Sequence, residues 1–160
     1  MDTVSFMSPD LWVRIIVSIV CGTLVGLDRQ LRGKPAGIRT SSLICLGTTI
    51  FVTLGSSDYA PSQGDHLRVL SQVVTGIGFL GAGVIMSKEG LVTGVTSAAV
   101  IWVLATIGAA VGMGYFGMAF AITIATISVL VGVEFLEETF QKLRSGSHRK
   151  GLDSYEPPGE

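Results

Sequence analysis

The stretch VTSAAVIWVLATIGAAVGMGYFGMAFAITIATISVLVGV, from Val95 to Val133, contains no charged residue. A helix needs about 20 mainly apolar residues to cross the hydrocarbon core of a bilayer, so this stretch is long enough for two crossings. The chain must reverse direction between them, and Gly112-Met113-Gly114 is its most flexible point. The stretch therefore predicts two membrane-spanning helices, at residues 95–112 and 115–133, joined by a short turn.

Three further apolar segments lie upstream, at residues 11–27, 40–55 and 69–86. Each is near the lower limit of about 17 residues for a crossing. Charged residues make up 14% of the chain and the mean hydropathy is +0.60, whereas a soluble domain has about 25% charged residues. We therefore predict an all-α polytopic membrane protein with about five transmembrane helices in residues 1–133. A cytoplasmic amphipathic segment and a disordered tail are expected in residues 134–160.

The basic residues of the first loop predict the orientation in the membrane. Between residues 28 and 39, four basic side chains accompany a single acid, and such loops stay in the cytoplasm. Five crossings then place the N-terminus outside and the C-terminus in the cytoplasm of a bacterial inner membrane. The net charge of −1 gives no reason to expect nucleic acid as a partner.

The same first loop is the best candidate for a binding site. Gly33, Pro35 and Gly37 favour a compact turn, and we expect Asp28 to pair with Arg39 across it. Free N–H groups at the start of the second helix, together with basic side chains, favour an anion or a partner protein. The alternative is that these charges set the topology and meet lipid phosphate. The candidate site residues are Asp28, Arg29, Arg32, Lys34, Arg39 and Thr40.

Glycine is abundant, with 21 residues, and much of it lies inside the predicted helices. Lipid supplies little hydrophobic force between helices, so small residues that allow close backbone approach become important. Gly22-xxx-Gly26 and Gly108-xxx-Gly112 predict two such contacts. The third segment carries small or polar residues on two faces, and we expect it to be central. Packing against neighbouring helices is one interpretation of these small and polar residues, and lining a pore is the other. The residues concerned are Gln72, Gly76, Gly78, Gly81, Gly83, Thr93 and Thr96.

Catalytic and metal chemistry is not indicated by the residue types inside the predicted spans. No acid or histidine lies at mid-depth, whereas magnesium sites usually use one or two carboxylates. No nucleophile and base are placed together, and Cys21 and Cys45 are expected to be small packing residues. We therefore expect no cofactor, no metal site and no enzymatic activity.

Three long stretches resemble the MgtC/SapB family of bacterial membrane proteins: GLDRQLRGKPAGIRTSSLICLG (26–47), QVVTGIGFLGAGVIM (72–86) and GLVTGVTSAAVIWVLATIGAAVGMGYF (90–116). The resemblance implies a polytopic inner-membrane protein with no known enzymatic activity. MgtC members are associated with growth at low magnesium, with survival of pathogens inside macrophages, and with restraint of the F-type ATP synthase. Magnesium transport by MgtC is not established.

The chain departs from the family pattern at several points. Asp28 replaces a common Glu, GVTSAA (94–99) replaces GLTTAA, and Thr93 lies where a basic residue is frequent. MgtC proper also carries a C-terminal ACT-type domain, so the resemblance favours a short SapB-like member. The leading hypothesis is a regulator in stress adaptation that binds lipid, a second copy of itself, or a membrane protein such as the ATP synthase. The alternative is an oligomeric channel or transporter for an ion such as magnesium.

Overall fold

The computed structural model describes residues 9–56, 65–88 and 91–149, which form five helices and one small hairpin. The prediction of an all-α fold is confirmed, and the strands in the described part of the chain have three residues each. The chain divides into two compact units, residues 1–126 and residues 127–160. The elements are α1 (Pro9–Leu31), α2 (Ile38–Ser56), α3 (Asp65–Gly83), β1 (Met86–Lys88), β2 (Leu91–Thr93), α4 (Val95–Gly112) and α5 (Phe116–Arg149).

Four of these helices, α1, α2, α4 and α5, are long and apolar enough to cross a membrane. The bounds predicted for α4 are confirmed, and α5 continues as a helix past the predicted end of its span. The helix that corresponds to the third predicted span, 69–86, has different bounds, Asp65–Gly83. The helix ends at Gly83 because the chain turns into the β1–β2 hairpin, so the apolar residues 84–86 are not part of the helix. At its other end, the first turn of the helix contains the charged residues Asp65 and Arg68. A membrane crossing by α3 remains a prediction, and residues 151–160, expected to be disordered, lie outside the described residues.

The most buried helix is α4, so the expectation that the third segment is central was wrong. Ile101, Leu104, Ile107 and Val111 of α4 have at most 2% of their surface exposed. The rest of α4 is largely Ala and Gly, which lets neighbouring helices approach on several sides. The small residues of α3 have a different role, because most of them face outward.

The predicted contact at Gly22-xxx-Gly26 is confirmed between α1 and α2, which run antiparallel. A Cβ atom added to Gly22 would lie 2.8 Å from the Ser41 carbonyl oxygen, and one added to Gly26 would lie 2.7 Å from the Cα of Ile38. Real Cβ atoms do not approach so closely, so the two backbones can touch only because both positions are glycine.

The second predicted glycine pair, Gly108-xxx-Gly112, lets α4 pack directly on α2. A Cβ atom on Gly108 would lie 2.5 Å from the Cys45 carbonyl oxygen, and one on Gly112 would lie 2.8 Å from that of Thr49. Both contacts pair residues at the same spacing along the two helices, so α2 and α4 run parallel.

A ladder of side-chain hydrogen bonds follows the same α2–α4 contact. Three α2 side chains, four residues apart, donate to backbone carbonyls of α4 that are also four residues apart. Their donor–acceptor distances lie between 2.9 and 3.4 Å. The pairs are Cys45 Sγ to Leu104 O, Thr49 Oγ1 to Gly108 O, and Thr53 Oγ1 to Gly112 O.

Replacing Gly108 by Ala is expected to destabilise the protein by about 1–3 kcal/mol, because the added methyl group overpacks the α2–α4 contact. The matched control is Gly78→Ala on α3, where a Cβ atom would meet nothing within 4 Å. That change should be neutral, or stabilising by up to about 1 kcal/mol through helix propensity. Thermal unfolding of both variants in a mild detergent measures the difference, and equal stability would contradict the packing described here.

Candidate functional site

The first candidate site lies at one end of the bundle, which we call the basic end. It consists of the last turn of α1, the turn at residues 32–37, the first turn of α2 and the first turn of α4. The turn is compact, as predicted: Gly33 and Ala36 adopt positive φ angles of 62° and 63°. The hydroxyl of Ser41 on α2 donates to the Ala36 carbonyl at 2.8 Å, which holds the turn against α2.

Asp28 does not form the predicted ion pair with Arg39. Its Oδ1 atom accepts from Arg32 Nε at 2.7 Å, one helical turn away on α1. The i,i+4 spacing brings these two side chains together without any help from the loop. Arg39 is exposed on α2, and Lys34 and Thr40 are exposed as well. The six predicted site residues therefore share one end of the bundle but do not form one cluster.

Arg29 is buried, with only 4% of its surface exposed. Its Nη2 atom donates to the hydroxyl of Ser97 on the first turn of α4, at 2.6 Å. This hydrogen bond joins the last turn of α1 to the first turn of α4. Among the predicted site residues, Arg29 was not distinguished from the basic residues that are exposed in the structure. A signal was present, because Arg29 continues the helical spacing of the buried positions Gly22 and Gly26.

Two polar atoms at the basic end are buried without a hydrogen-bond partner among the described residues. They are Nε of Arg29 and Oδ2 of Asp28. Buried polar groups in folded proteins are nearly always hydrogen-bonded, so such atoms need an explanation. The first turn of α4 adds further free donors, because its N-cap residue is Gly94, which has no side chain to cap the helix.

The structure places Thr93 and Thr96 on either side of Gly94. Thr93 pairs with Met86 across the β1–β2 hairpin, and its hydroxyl lies 3.5 Å from the Met86 carbonyl oxygen. Thr96 is exposed on the first turn of α4. The chain passes from this short hairpin into α4 at Gly94, which adopts a φ of 89°.

A second candidate site is an apolar groove between α2 and α3, with a volume of about 890 Å³. Predicted residues Gln72 and Gly76 line it. Gly81 packs on α4, where an added Cβ atom would lie 3.7 Å from Ala98, and Gly78 and Gly83 are exposed. The lining of the groove is Thr40, Leu43, Ile44, Gly47, Thr48, Phe51, Gly55, Arg68, Val69, Gln72, Val73, Gly76, Ile77 and Leu80.

Metal-ligating side chains do not cluster at either site. Among the residues that the structure describes, no group of three or more His, Cys, Asp or Glu side chains is placed to hold a metal ion. Cys21 and Cys45 are both buried and form no disulfide.

Comparisons with known proteins give a consistent result. The model of the MgtC family matches residues 15–139. The chain is 34% identical to the putative magnesium transporter YhiD of Escherichia coli K12, over 89% of this chain and 68% of that protein. It is 32% identical to protein SapB of Bacillus subtilis, over 86% of this chain and 61% of SapB.

A third relative is protein MgtC of Salmonella typhimurium, which is 37% identical over 82% of this chain and 54% of MgtC. Each of these three relatives is therefore longer than the part that matches. No solved structure matches the chain.

Replacing Ser97 by Ala is expected to destabilise the protein by about 1.5–3 kcal/mol, because it removes the acceptor of a buried charged donor, Arg29. Thr96→Ala is the matched control, since it removes an exposed hydroxyl from the neighbouring position and should change stability by less than about 0.5 kcal/mol. Thermal unfolding of the two purified variants makes the comparison. Equal melting temperatures would show that the Arg29–Ser97 contact contributes nothing.

Proposed function

This chain belongs to the MgtC family of membrane proteins, and we propose that it is a non-enzymatic regulator that acts by binding another membrane-embedded helix. The binding surface is α3 together with the groove between α2 and α3. The partner is a second copy of the chain or a different membrane protein. The exposed glycines of α3 are the observation that carries this proposal.

The outward face of α3 is unusual for a surface that meets lipid. Gly76, Gly78 and Gly83 are exposed, and a Cβ atom added to any of them would meet nothing within 4 Å. Gln72 and Thr75 are exposed on the same helix. Glycine weakens a helix by about 1 kcal/mol relative to alanine, so glycines without an internal contact need another reason. Small and polar residues on a membrane helix favour contact with a second helix.

The other helices of the bundle make the contrast clear. The glycines of α1 and α4 are used inside the molecule, where they touch the backbone of α2. The outward faces of α1 and α2 carry large apolar side chains such as Trp12, Ile16 and Leu54, which are more than half exposed. Such side chains suit lipid tails. α3 also exposes a large apolar side chain, Phe79. It differs from these faces in its exposed glycines and polar residues, which support an interface with protein.

The groove extends this surface and gives it depth. Its volume of about 890 Å³ is large enough for several side chains of a partner helix, and Gly47, Gly55 and Gly76 lie in its lining. Arg68 and Gln72 are the strongly polar side chains of the lining. They offer hydrogen bonds to a partner, and in a membrane such bonds fix the register of helix contacts.

The link to magnesium comes from the relatives. The YhiD protein is described as a putative magnesium transporter, and MgtC shares 37% identity with this chain. We therefore place the regulator in adaptation to magnesium limitation or related stress. The basic residues at positions 29, 32, 34 and 39 support a cytoplasmic position for the basic end, in the inner membrane, with the N-terminus outside.

Replacing Gly76 by Leu should abolish association through α3, because the bulky side chain prevents close approach of a second helix. The control is Gly117→Leu on α5, an exposed glycine whose added Cβ atom also meets nothing within 4 Å. Cross-linking in native membranes, followed by identification of the product, should show the adduct in the wild type and in the control. An adduct of unchanged yield in a folded Gly76→Leu variant would contradict the proposal.

A channel or transporter is the second candidate, and the same groove is the observation that favours it. Gln72 and Gly76 would then line a path between subunits of an oligomer. Among the described residues no cluster of acidic side chains lies along the groove, which weakens a path for magnesium in particular.

Liposome flux distinguishes the two candidates. We expect the purified protein to give no saturable flux of magnesium or of monovalent cations into liposomes, because it acts by binding. Saturable flux that is lost in a folded Gly76→Leu variant and retained in Gly117→Leu would instead establish the transport function and refute the regulator.

A further inference from the structure

Two arginines of α1 reach the two ends of α4, and only one of them, Arg14, meets the end of the helix dipole that favours a cation. Arg14 donates through Nη1 to the carbonyls of Val111 and Gly112, at the C-terminus of α4, and pairs with Asp10 at 2.7 Å. A helix C-terminus carries about half a negative charge, so a cation is stabilised there. Arg14 is thus a cap that needs no further partner.

Arg29 lies at the opposite end of α4, where the helix dipole is positive. Its contact there is with the hydroxyl of Ser97 in the first turn, and 96% of its surface is buried. A cation at a helix N-terminus is destabilised by the dipole, and a buried cation needs a compensating charge. Asp28 is adjacent in sequence, but its ion pair is with Arg32.

We propose that the basic end holds a phosphate-class oxyanion on Arg29 and the first turn of α4. Nε and Nη2 lie on the same edge of a guanidinium group, which is the edge that binds phosphate or carboxylate in a bidentate manner. Nη2 is bonded to Ser97, and Nε on that edge is buried without a partner among the described residues. An oxygen bonded to Nε therefore lies beside the Ser97 hydroxyl.

The Ser97 hydroxyl is available to this ligand. Its oxygen accepts the hydrogen bond from Arg29, so its proton is free to be donated to a second acceptor. The first N–H groups of α4 have no acceptor within the helix, and Gly94 provides no capping side chain. Donors from a side-chain fork, a hydroxyl and a helix N-terminus together match an anion with several oxygens, as phosphate has.

Two further features suit a phosphate. The exposed basic residues Lys34 and Arg39 lie at the same end of the bundle and attract an anion. Asp28 Oδ2 is buried without a donor among the described residues, and that donor can come from an inorganic phosphate that keeps one proton or from a hydroxyl of a phosphatidylglycerol headgroup. The exposed position of Thr96, next to Ser97, leaves the first turn of α4 accessible from the end of the bundle.

This site is separate from the α3 surface, so its test is independent of the proposed function. The phosphate comes either from solution or from a lipid headgroup, and both sources present at least two anionic non-bridging oxygens. The full chain, purified in a maltoside detergent that contains no phosphate, is titrated with inorganic phosphate in one arm and with phosphatidylglycerol in the other. Chloride keeps the ionic strength constant, and binding is followed by the melting temperature and by the ³¹P NMR signal.

We expect saturable binding in at least one arm, and the responding arm identifies the source. Arg29→Gln should weaken it by about tenfold or more, because it removes a charged donor. Arg68→Gln is the matched control, since it removes the same charge from an exposed position on α3, away from the basic end, and should change phosphate affinity by less than about threefold. Ser97→Ala should also weaken phosphate binding. Because this variant keeps Arg29, it tests the site even if Arg29→Gln does not fold.

Two results would overturn the proposal. One is the absence of binding in both arms, which would leave a buried water molecule as the partner of Arg29 Nε. The other is equal affinity of the wild type and a folded Arg29→Gln or Ser97→Ala variant, which would show that phosphate binds elsewhere on the basic surface.

Discussion

The direct backbone contact between α2 and α4 is the constraint on which the other contacts depend. Three α2 side chains donate to α4 carbonyls at intervals of four residues, and this is possible only because Gly108 and Gly112 leave no side chain between the helices. In a membrane, hydrogen bonds between helices average about 0.6 kcal/mol, and close packing adds to them. Once α2 lies on α4, the short turn and the two glycines of α1 fix α1 against α2. Its two arginines then reach the ends of α4.

Much of this architecture could be predicted from the sequence, because glycine spacing and apolar length are local signals. The pairs Gly22/Gly26 and Gly108/Gly112 identify close contacts, and the bounds of α4 follow from the charge-free stretch. The position of α3 could not be predicted, since small residues indicate a contact but do not say whether the neighbour belongs to the same chain. Its end at Gly83 depends on the hairpin that follows, which the apolar residues 84–86 concealed.

At the basic end, too, some features are set by residues that are close in sequence and others by tertiary contacts. The compact turn and the shared location of the basic residues follow from sequence, but the partner of each charge does not. Asp28 binds Arg32 because the i,i+4 geometry is already present in α1, so a pair across the turn has no advantage. Burial distinguishes Arg29 from Arg39, and burial is set by which face of α1 meets α4. The helical repeat of Gly22, Gly26 and Arg29 contained that information.

The segment that joins α3 to α4 connects the two surfaces physically. Gly94 has a φ of 89°, and a side chain there would collide with the carbonyl of Val84, so the start of α4 lies directly against the end of α3. Ser97, which binds Arg29, lies in the first turn after this passage. The end of α3 therefore touches the short segment that leads into the donors of α4, and Gly94 is the residue whose lack of a side chain allows that contact.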